Sequence, residues 1–194
     1  MGAGPPRGRL LAFNGKRVRR DRGEIVEVYI GLGTNLGDRR AHLRAGIDGL
    51  REAGLFPRAV SSVWETEPLG TDHSGWFLNM ALAATNDRSP RELLELLLEV
   101  ESRNGRRRGE PNGPRTLDLD LLLVGNLRID EPGLRLPHPR MWLRRFVLEP
   151  LAEIAPDLVN PESGRSVAEE CRRLRDIASV RRLGELAPAK DALL

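Results

Sequence analysis

Two aspartates stand inside an apolar run near the middle of the chain. The segment GPRTLDLDLLL, residues 113–123, contains Arg115, Asp118 and Asp120 among leucines. In a β-strand, residues two apart face the same side, so the two carboxylates would point together and the alternate leucines would pack the other way. Aspartate is disfavoured in strands and two like charges this close repel each other, so a compensating cation is expected.

A hard divalent metal ion suits such a pair of carboxylates. Mg²⁺ typically retains water ligands and is bound by one or two carboxylates together with substrate phosphates. Arg115 would not share the metal ion, but its guanidinium could hold a phosphate beside it. The alternative is a half-solvated strand with an acidic outer face, because an Asp-x-Asp pair alone is common. The spacing favours metal and phosphate chemistry over that alternative.

Arginines flank the aspartate pair in sequence. An arginine run usually forms a solvated face or an RNA-binding patch. Beside two acids of the metal-binding type, it is the arrangement expected for a polyphosphate bound with Mg²⁺, whose charge must be stabilised during group transfer. The residues are Arg106, Arg107, Arg108 and Arg115 in the loop before the aspartates, and Arg144 and Arg145, which follow His138 in a later loop.

Two further segments contain residues that could bind a ligand. In WFLNMALAATN, residues 76–86, Asn79 and Phe77 would share one face of a strand. They are either an amide satisfied by its neighbours or an aromatic platform beside a donor and acceptor, which suits a flat heterocycle. The glycine-rich residues 31–37 lack both G-x-G-x-x-G and the Lys-Ser/Thr of a P-loop, so they predict a plain turn between a strand and a helix.

The hydrophobic patterns that must position these residues follow the order β-α-β-β-α-β. This order predicts an α+β fold of the ferredoxin-like type, with helices on one face of a largely antiparallel sheet. Strands are predicted at 25–31, 59–68, 76–86 and 116–125, and helices after the N-caps Asp38 and Ser89, ending near Ala53 and Gly105. A short edge strand at 126–130 and a last helix at 166–178 complete the prediction.

Charge and composition divide the 194 residues into one domain and two extensions. Residues 1–24 contain seven basic and two acidic residues, whereas the whole chain has a net charge of only +3. We therefore expect a basic disordered extension over 1–24, a domain over 25–178 and a tail over 179–194, with no nucleic-acid partner. A single cysteine, Cys171, cannot form an internal disulfide, which fits a reducing compartment, and no apolar stretch reaches roughly 20 residues. We therefore expect a cytoplasmic protein without a membrane partner, and we expect it to be a monomer.

The motifs taken together resemble the 6-hydroxymethyl-7,8-dihydropterin pyrophosphokinase family, also called 2-amino-4-hydroxy-6-hydroxymethyldihydropteridine diphosphokinases. GPRTLDLDLLL is the most specific match. The others are, in chain order, YIGLGTNLGDR, SSVWETEPLG, FLN, ESRNGRRR and LPHPRMWLRRFVLEPLAEIAPDL, so the resemblance covers residues 26–160. It implies that the pterin hydroxymethyl oxygen attacks the β-phosphorus of ATP and that AMP leaves, as a step of folate biosynthesis.

The resemblance also implies a role for each matching residue. Asp118 and Asp120 would hold two Mg²⁺ ions that bridge the ATP phosphates, and Arg106 and Arg115 would be catalytic with them. The implied ATP-binding residues are Glu101, Arg106, Arg108, Arg115, His138 and Arg144. The implied pterin-binding residues are Thr66, Glu67, Pro68, Leu69, Phe77, Asn79 and Phe146, with the two phenylalanines on either side of the ring.

The chain departs from the family pattern at a few positions. Asn112 stands where many members carry tryptophan, and Glu67 replaces a small apolar residue. Neither change removes a metal or phosphate ligand, so activity remains the expectation. Two other function classes stay open: a ferredoxin-like nucleic-acid-binding module, which would need exposed aromatics among basic residues, and a metal-dependent nucleotidyltransferase, which would release pyrophosphate.

Overall fold

The computed structural model describes residues 11–12, 25–68, 75–106, 114–174 and 179–187. The strands are β1 Leu11–Ala12, β2 Val26–Thr34, β3 Pro57–Val60, β4 Val63–Thr66, β5 Phe77–Asn86, β6 Asp118–Val124, β7 Leu127–Glu131, β8 Leu134–Leu136 and β9 Val180–Gly184. The helices are α1 Arg39–Glu52, α2 Pro90–Arg103, α3 Arg145–Ile154 and α4 Val167–Arg173, with a short 3-10 helix at Met141–Leu143.

The main sheet has the strand order β6-β2-β5-β4-β9, and β3 also pairs with β5. Every pairing in it is antiparallel. Helix α1 connects β2 to β3 and β4, and α2 connects β5 to β6. The two strands that each helix connects are parallel to each other and are separated in the sheet by one antiparallel strand, as in a split βαβ unit. The predicted α+β, ferredoxin-like arrangement is confirmed.

Helices cover both faces of the sheet, which corrects the prediction that they lie on one face. On one face, α1 and α2 pack against the inward side chains of β2, β5 and β6, such as Ile30 and Leu119. On the other face, α3 and α4 pack against Tyr29, Ala81 and Leu122. The central strands therefore bury apolar side chains in both directions, except at one end of the second face.

Local sequence signals define the two long helices as predicted. The Asp38 carboxylate accepts a hydrogen bond from the Ala41 amide at 3.0 Å and caps α1. Ser89 and Glu92 form a reciprocal capping box at the start of α2. Gly105 follows α2 with φ 76°, a left-handed conformation that glycine adopts without steric cost.

Three strand assignments differ from the sequence prediction, two in the main sheet and one in the separate sheet of order β1-β7-β8. The strand predicted at 59–68 is two strands, because at Ser61 the main chain and hydroxyl both bond to Ala81 and shift the register. The predicted tail contributes β9, and the predicted disordered extension contributes β1, which pairs with β7. Both are short, and VRRLG lacks an apolar alternation because its two arginines bind carboxylates on opposite faces of the sheet. In the described part of the chain, no helix has the length and apolarity to cross a membrane.

Candidate active site

A cavity opens at the end of the sheet where the face under α3 lacks large apolar side chains. Its floor is the central strand β2, whose Gly33 pairs with Asn79 on one side and Asp118 on the other. Gly31, two residues earlier, likewise pairs with Asp120. A Cβ atom on Gly33 would lie 3.4 Å from the Asn79 Oδ1 atom, so glycine at this position keeps the floor open.

The cavity has a volume of about 190 Å³ and combines charged and aromatic walls. It is lined by Gly31, Leu32, Gly33, Thr66, Glu67, Phe77, Asn79, Met80, Arg115, Asp118, Asp120, Arg140, Arg144, Phe146 and Val147. Nine of the residues singled out in the sequence are in this set. The charged residues come from β6 and the loops around it, and the aromatic residues come from β5 and α3. The cavity therefore has one side with charged residues, suited to a polyphosphate with its metal ions, and one aromatic side.

Asp118 and Asp120 project from β6 on the side that faces the cavity, as the alternation predicted. Leu119 between them is buried against α1 and α2. The side chains of Asp118 and Asp120 are 19% and 38% exposed. Partial burial and then the charge of Asp118 raise the pKa of Asp120, so this carboxyl lacks full compensation of its charge. Among the described residues, no third histidine, cysteine or acid completes a metal-binding cluster here.

Two guanidinium groups hold the Asp118 carboxylate. Arg106 Nη1 lies 2.6 Å from one oxygen, and Arg115 Nη1 donates to the other. Arg115 is itself positioned by Asn35, whose side-chain oxygen accepts from the Arg115 amide at 2.7 Å. Both oxygens of Asp118 are thus bonded to side chains that could equally bind phosphate.

Glu101 lies beneath this pair and is almost fully buried. It accepts hydrogen bonds from the Leu119 amide, at 2.6 Å, and from Arg106. Burial raises its pKa to about 7, although the bonds from Leu119 and Arg106 oppose this shift. Glu101 therefore connects the last turn of α2 to the strand that carries both aspartates, and it orients Arg106 from below.

His138 and Arg144 lie on the opposite side of Asp120. His138 Nε2 is 3.8 Å from an Asp120 oxygen, and burial lowers the pKa of the imidazole although Asp120 opposes this shift. The Arg144 guanidinium lies over the Phe146 ring, 5.4 Å from its centroid. That contact joins the charged side of the cavity to the aromatic side.

The aromatic side is built on β5 and the start of α3. Phe77 and Asn79 share a face of β5, and Phe146 is the second residue of α3. Asn79 Nδ2 donates to the Thr66 hydroxyl at 2.8 Å, which fixes the orientation of the amide. Of the two interpretations of Asn79, the structure supports elements of both: the amide has a neighbour, and it lines the cavity beside an aromatic ring.

Comparison with known proteins identifies the family. A sequence model of the 7,8-dihydro-6-hydroxymethylpterin-pyrophosphokinase (HPPK) family matches residues 29–156. The chain belongs to this family. It is an ATP-dependent pyrophosphokinase of folate biosynthesis, as the sequence predicted.

Similar proteins support the same assignment. The chain is 46% identical over 127 residues to the 2-amino-4-hydroxy-6-hydroxymethyldihydropteridine pyrophosphokinase of Bacillus subtilis, covering 65% of this chain and 76% of that one. For the enzyme of the same name from Pseudomonas aeruginosa, identity is 42% over 148 residues, covering 75% and 90%. A solved structure of Plasmodium falciparum HPPK-DHPS with pterin and p-hydroxybenzoate has a TM-score of 0.61 at 11% identity. The match covers 79% of this chain and 42% of that one, and it shows that the two proteins share the fold.

The remaining predicted HPPK residues are placed as follows. Glu101, Arg106 and His138 do not line the cavity. Arg106 and His138 contact Asp118 and Asp120, which do, and Glu101 contacts Arg106 and the Leu119 amide. Pro68 directly follows the lining residue Glu67. Leu69, Arg108 and Asn112 lie outside the described residues.

Sequence reasoning missed the two glycines and Arg140. The strand was predicted to end at Gly31, where a turn was predicted to begin, but β2 continues through Gly33 to Thr34 because the alternating Ile30 and Leu32 extend the buried strand. The spacing of two between the glycines was the signal that could have shown this. Arg140 follows a proline-rich stretch with no periodic pattern and gave no such signal.

Proposed function

We propose that the chain transfers the pyrophosphoryl group of ATP to the hydroxymethyl oxygen of 6-hydroxymethyl-7,8-dihydropterin and releases AMP. The attacking oxygen bonds to the β-phosphorus, the bond from that phosphorus to the α-phosphate oxygen breaks, and the hydroxyl proton leaves to solvent. The observation that supports this most strongly is the single cavity with Asp118, Asp120 and Arg115 on one side and Phe77, Asn79 and Phe146 on the other.

The aspartate pair suits Mg²⁺ bound together with ATP. Two carboxylates on one strand offer oxygen ligands, and Mg²⁺ completes its coordination with phosphate oxygens and water. We assign Asp118 and Asp120 as the protein ligands of two such ions. When bound, these ions would offset the charge of the triphosphate and hold the attacking and leaving oxygens in line.

Arg106 and Arg115 would exchange partners when ATP binds. In the structure, both guanidinium groups bond to Asp118. Each guanidinium could bond to phosphate oxygens of ATP in place of this carboxylate. Because Glu101 stays bonded to the Leu119 amide, Arg106 keeps an anchor next to the site throughout the exchange. His138 and Arg144, on the other side of Asp120, are assigned to the same ATP.

The aromatic side would hold the pterin. Phe77 and Phe146 offer two ring faces for a flat heterocycle, and the Asn79 amide offers a donor and an acceptor at its edge. Thr66 fixes that amide at 2.8 Å. With the ring in this position, its hydroxymethyl group would point across the Gly31–Gly33 floor toward the phosphates. The chain would therefore act mainly by aligning two substrates over a rigid floor.

The decisive experiment incubates the protein with Mg²⁺, ATP and 6-hydroxymethyl-7,8-dihydropterin and separates the nucleotides by chromatography. AMP should form in equal amount to the pterin consumed, and only when the pterin is present. Pyrophosphate release would instead indicate a nucleotidyltransferase. Formation of ADP, or turnover that does not depend on the pterin, would also contradict the proposal.

A further inference from the structure

The C-terminal strand β9 pairs along the whole of β4 and forms the edge of the main sheet, and it lies outside residues 29–156, which match the family. Cα partners run from Val63 opposite Gly184 to Thr66 opposite Val180. Beyond the strand, the Glu67 amide donates to the Ser179 carbonyl at 3.1 Å. Thr66 and Glu67 line the cavity, so β9 supports β4, the strand that forms this wall.

Arg181 of β9 binds the buried carboxylate of Glu65. Its Nε and Nη2 atoms lie 2.9 Å and 2.5 Å from Glu65 Oε2, and the Glu65 side chain is only 8% exposed. Arg39, the first residue of α1, donates to the other oxygen at 3.1 Å. Burial opposes ionisation of Glu65, yet the hydrogen bonds from Arg181 and Arg39 lower its pKa overall. One carboxylate thus joins β9, β4 and α1.

Arg39 and Arg181 also contact Trp76, the residue before the cavity-lining Phe77. Arg39 Nη1 donates to the Trp76 carbonyl at 2.6 Å, and the Arg181 guanidinium lies 5.7 Å from the centre of the Trp76 ring. Trp76 directly precedes Phe77, just as Glu65 directly precedes Thr66, and Thr66 and Phe77 are paired across the sheet. Arg181 therefore touches both residues that precede the facing wall residues.

A second arginine holds the other face of the same edge. Arg182 Nε donates to Glu153 of α3 at 2.9 Å, and Glu153 also accepts from Trp64 Nε1 and the Ser62 amide. This contact fixes β4 against the helix that carries Phe146. The two arginines thus brace β4 from both faces.

We propose that Arg181 is a positioning residue for the pterin-binding wall. The proposal rests on the proposed function. Removing the Arg181 guanidinium leaves Glu65 with one partner and Trp76 without its stacked cation, so Thr66 and Phe77 lose a constraint on their separation. The ATP side, which is built on β6 and the loop before α3, has no contact with Arg181 among the described side-chain bonds.

The test compares wild type with Arg181→Ala, Arg181→Lys and Arg51→Ala at a temperature where circular dichroism shows all four folded. Arg51 is the control, because it is likewise an exposed arginine in an ion pair, 3.0 Å from Asp48, but its partner is exposed and neither residue lines the cavity. AMP release is measured while each substrate is varied. In Arg181→Ala, we expect KM for the pterin to rise about tenfold while KM for ATP stays within about twofold, because displaced substrate-positioning groups affect the substrate that they touch.

The lysine variant keeps the charge but not the two-nitrogen contact, so its KM for the pterin should lie between those of wild type and Arg181→Ala. It decides the question alone if the alanine variant does not fold. The proposal is overturned if KM for the pterin stays at the wild-type value, if both KM values rise equally, or if Arg51→Ala shows the same change. A wild-type chain that releases no AMP with the pterin would refute the proposed function itself, which is a separate result.

Discussion

Replacing Gly33 by alanine should lower the activity of the protein without lowering its stability. The added Cβ would lie 3.4 Å from Asn79 Oδ1 and 3.8 Å from Asp118 Cβ, which are ordinary van der Waals distances. Gly33 does not have a positive φ, so alanine fits its backbone. Glycine inside a strand costs roughly 0.5–1 kcal/mol relative to alanine, so the variant should be at least as stable as wild type.

Activity should fall in the same variant, because the methyl group stands on the floor between the two substrates. A misplaced methylene-sized group in a binding pocket costs about 1–3 kcal/mol, or roughly 10–200-fold in kcat/KM. Gly33 pairs with Asn79 on one side and Asp118 on the other, so substrates that meet over this floor would lie against the added methyl group. Steady-state AMP release and thermal unfolding of Gly33→Ala would give the two numbers.

Gly46→Ala is the control with the opposite expected result, because it should lower stability and leave substrate binding unchanged. Gly46 lies in α1, and its Cβ would lie 3.0 Å from both Cδ atoms of Leu117, on the buried side of the sheet. Overpacking of this kind costs about 1–3 kcal/mol, against a gain of about 1 kcal/mol in helix propensity. We expect a lower Tm and an unchanged KM for both substrates. If Gly33→Ala lost stability and kept wild-type kcat/KM, the assignment of the floor would be refuted.

Three further predictions concern the charged groups and the N-terminal extension. Asp118→Asn and Asp120→Asn should each lower kcat by about a hundredfold to a thousandfold with the circular dichroism spectrum unchanged, and near wild-type turnover in Mg²⁺ would contradict the metal assignment. Burial raises the pKa of Glu101 from 4.5 to about 7, so between these pH values the folded chain binds a proton that the unfolded chain has lost. The stability of the protein measured without substrates should therefore fall as pH rises across that interval. Glu101→Gln should flatten this part of a plot of Tm against pH. Removing residues 1–23 should leave kcat unchanged, since all the described residues that line the cavity lie between 31 and 147, and a large loss of kcat would show that the extension takes part.

The sequence predicted the elements and the chemistry well because both depend on local patterns. Asp38 and Ser89 are N-caps in the structure because their side chains bond to amides three residues later. Asp118 and Asp120 share a face because the alternation of a strand requires it. Their assignment to a metal remains a prediction, as do the domain boundaries and the oligomeric state.

The sequence failed where a residue's role depends on a distant partner. Val180–Gly184 gives no strand pattern, and its position becomes clear only when Glu65, 116 residues from Arg181, is seen between two guanidinium groups. The spacing of two between Gly31 and Gly33 is typical of one face of a strand, but only the pairing with β5 and β6 shows that they form the floor of the cavity. Arg140 enters the cavity from a segment whose path is set by the packing of α3, which local propensity cannot give.

Register connects the core to the site. A slip of β2 by one residue would bring Leu32 between Asn79 and Asp118 and would move every side chain of the strand to the other face. The cavity would then be filled by a leucine, and Gly31 and Gly33 would leave gaps under α1 and α2. Ile30 and Leu32 are fully buried against those helices, so such a slip would expose or misplace two large side chains, each worth about 1.5–3 kcal/mol of burial. The hydrophobic core thus holds the glycines between the carboxylates and the amide, and the same alternation that builds the core leaves the floor open for substrates.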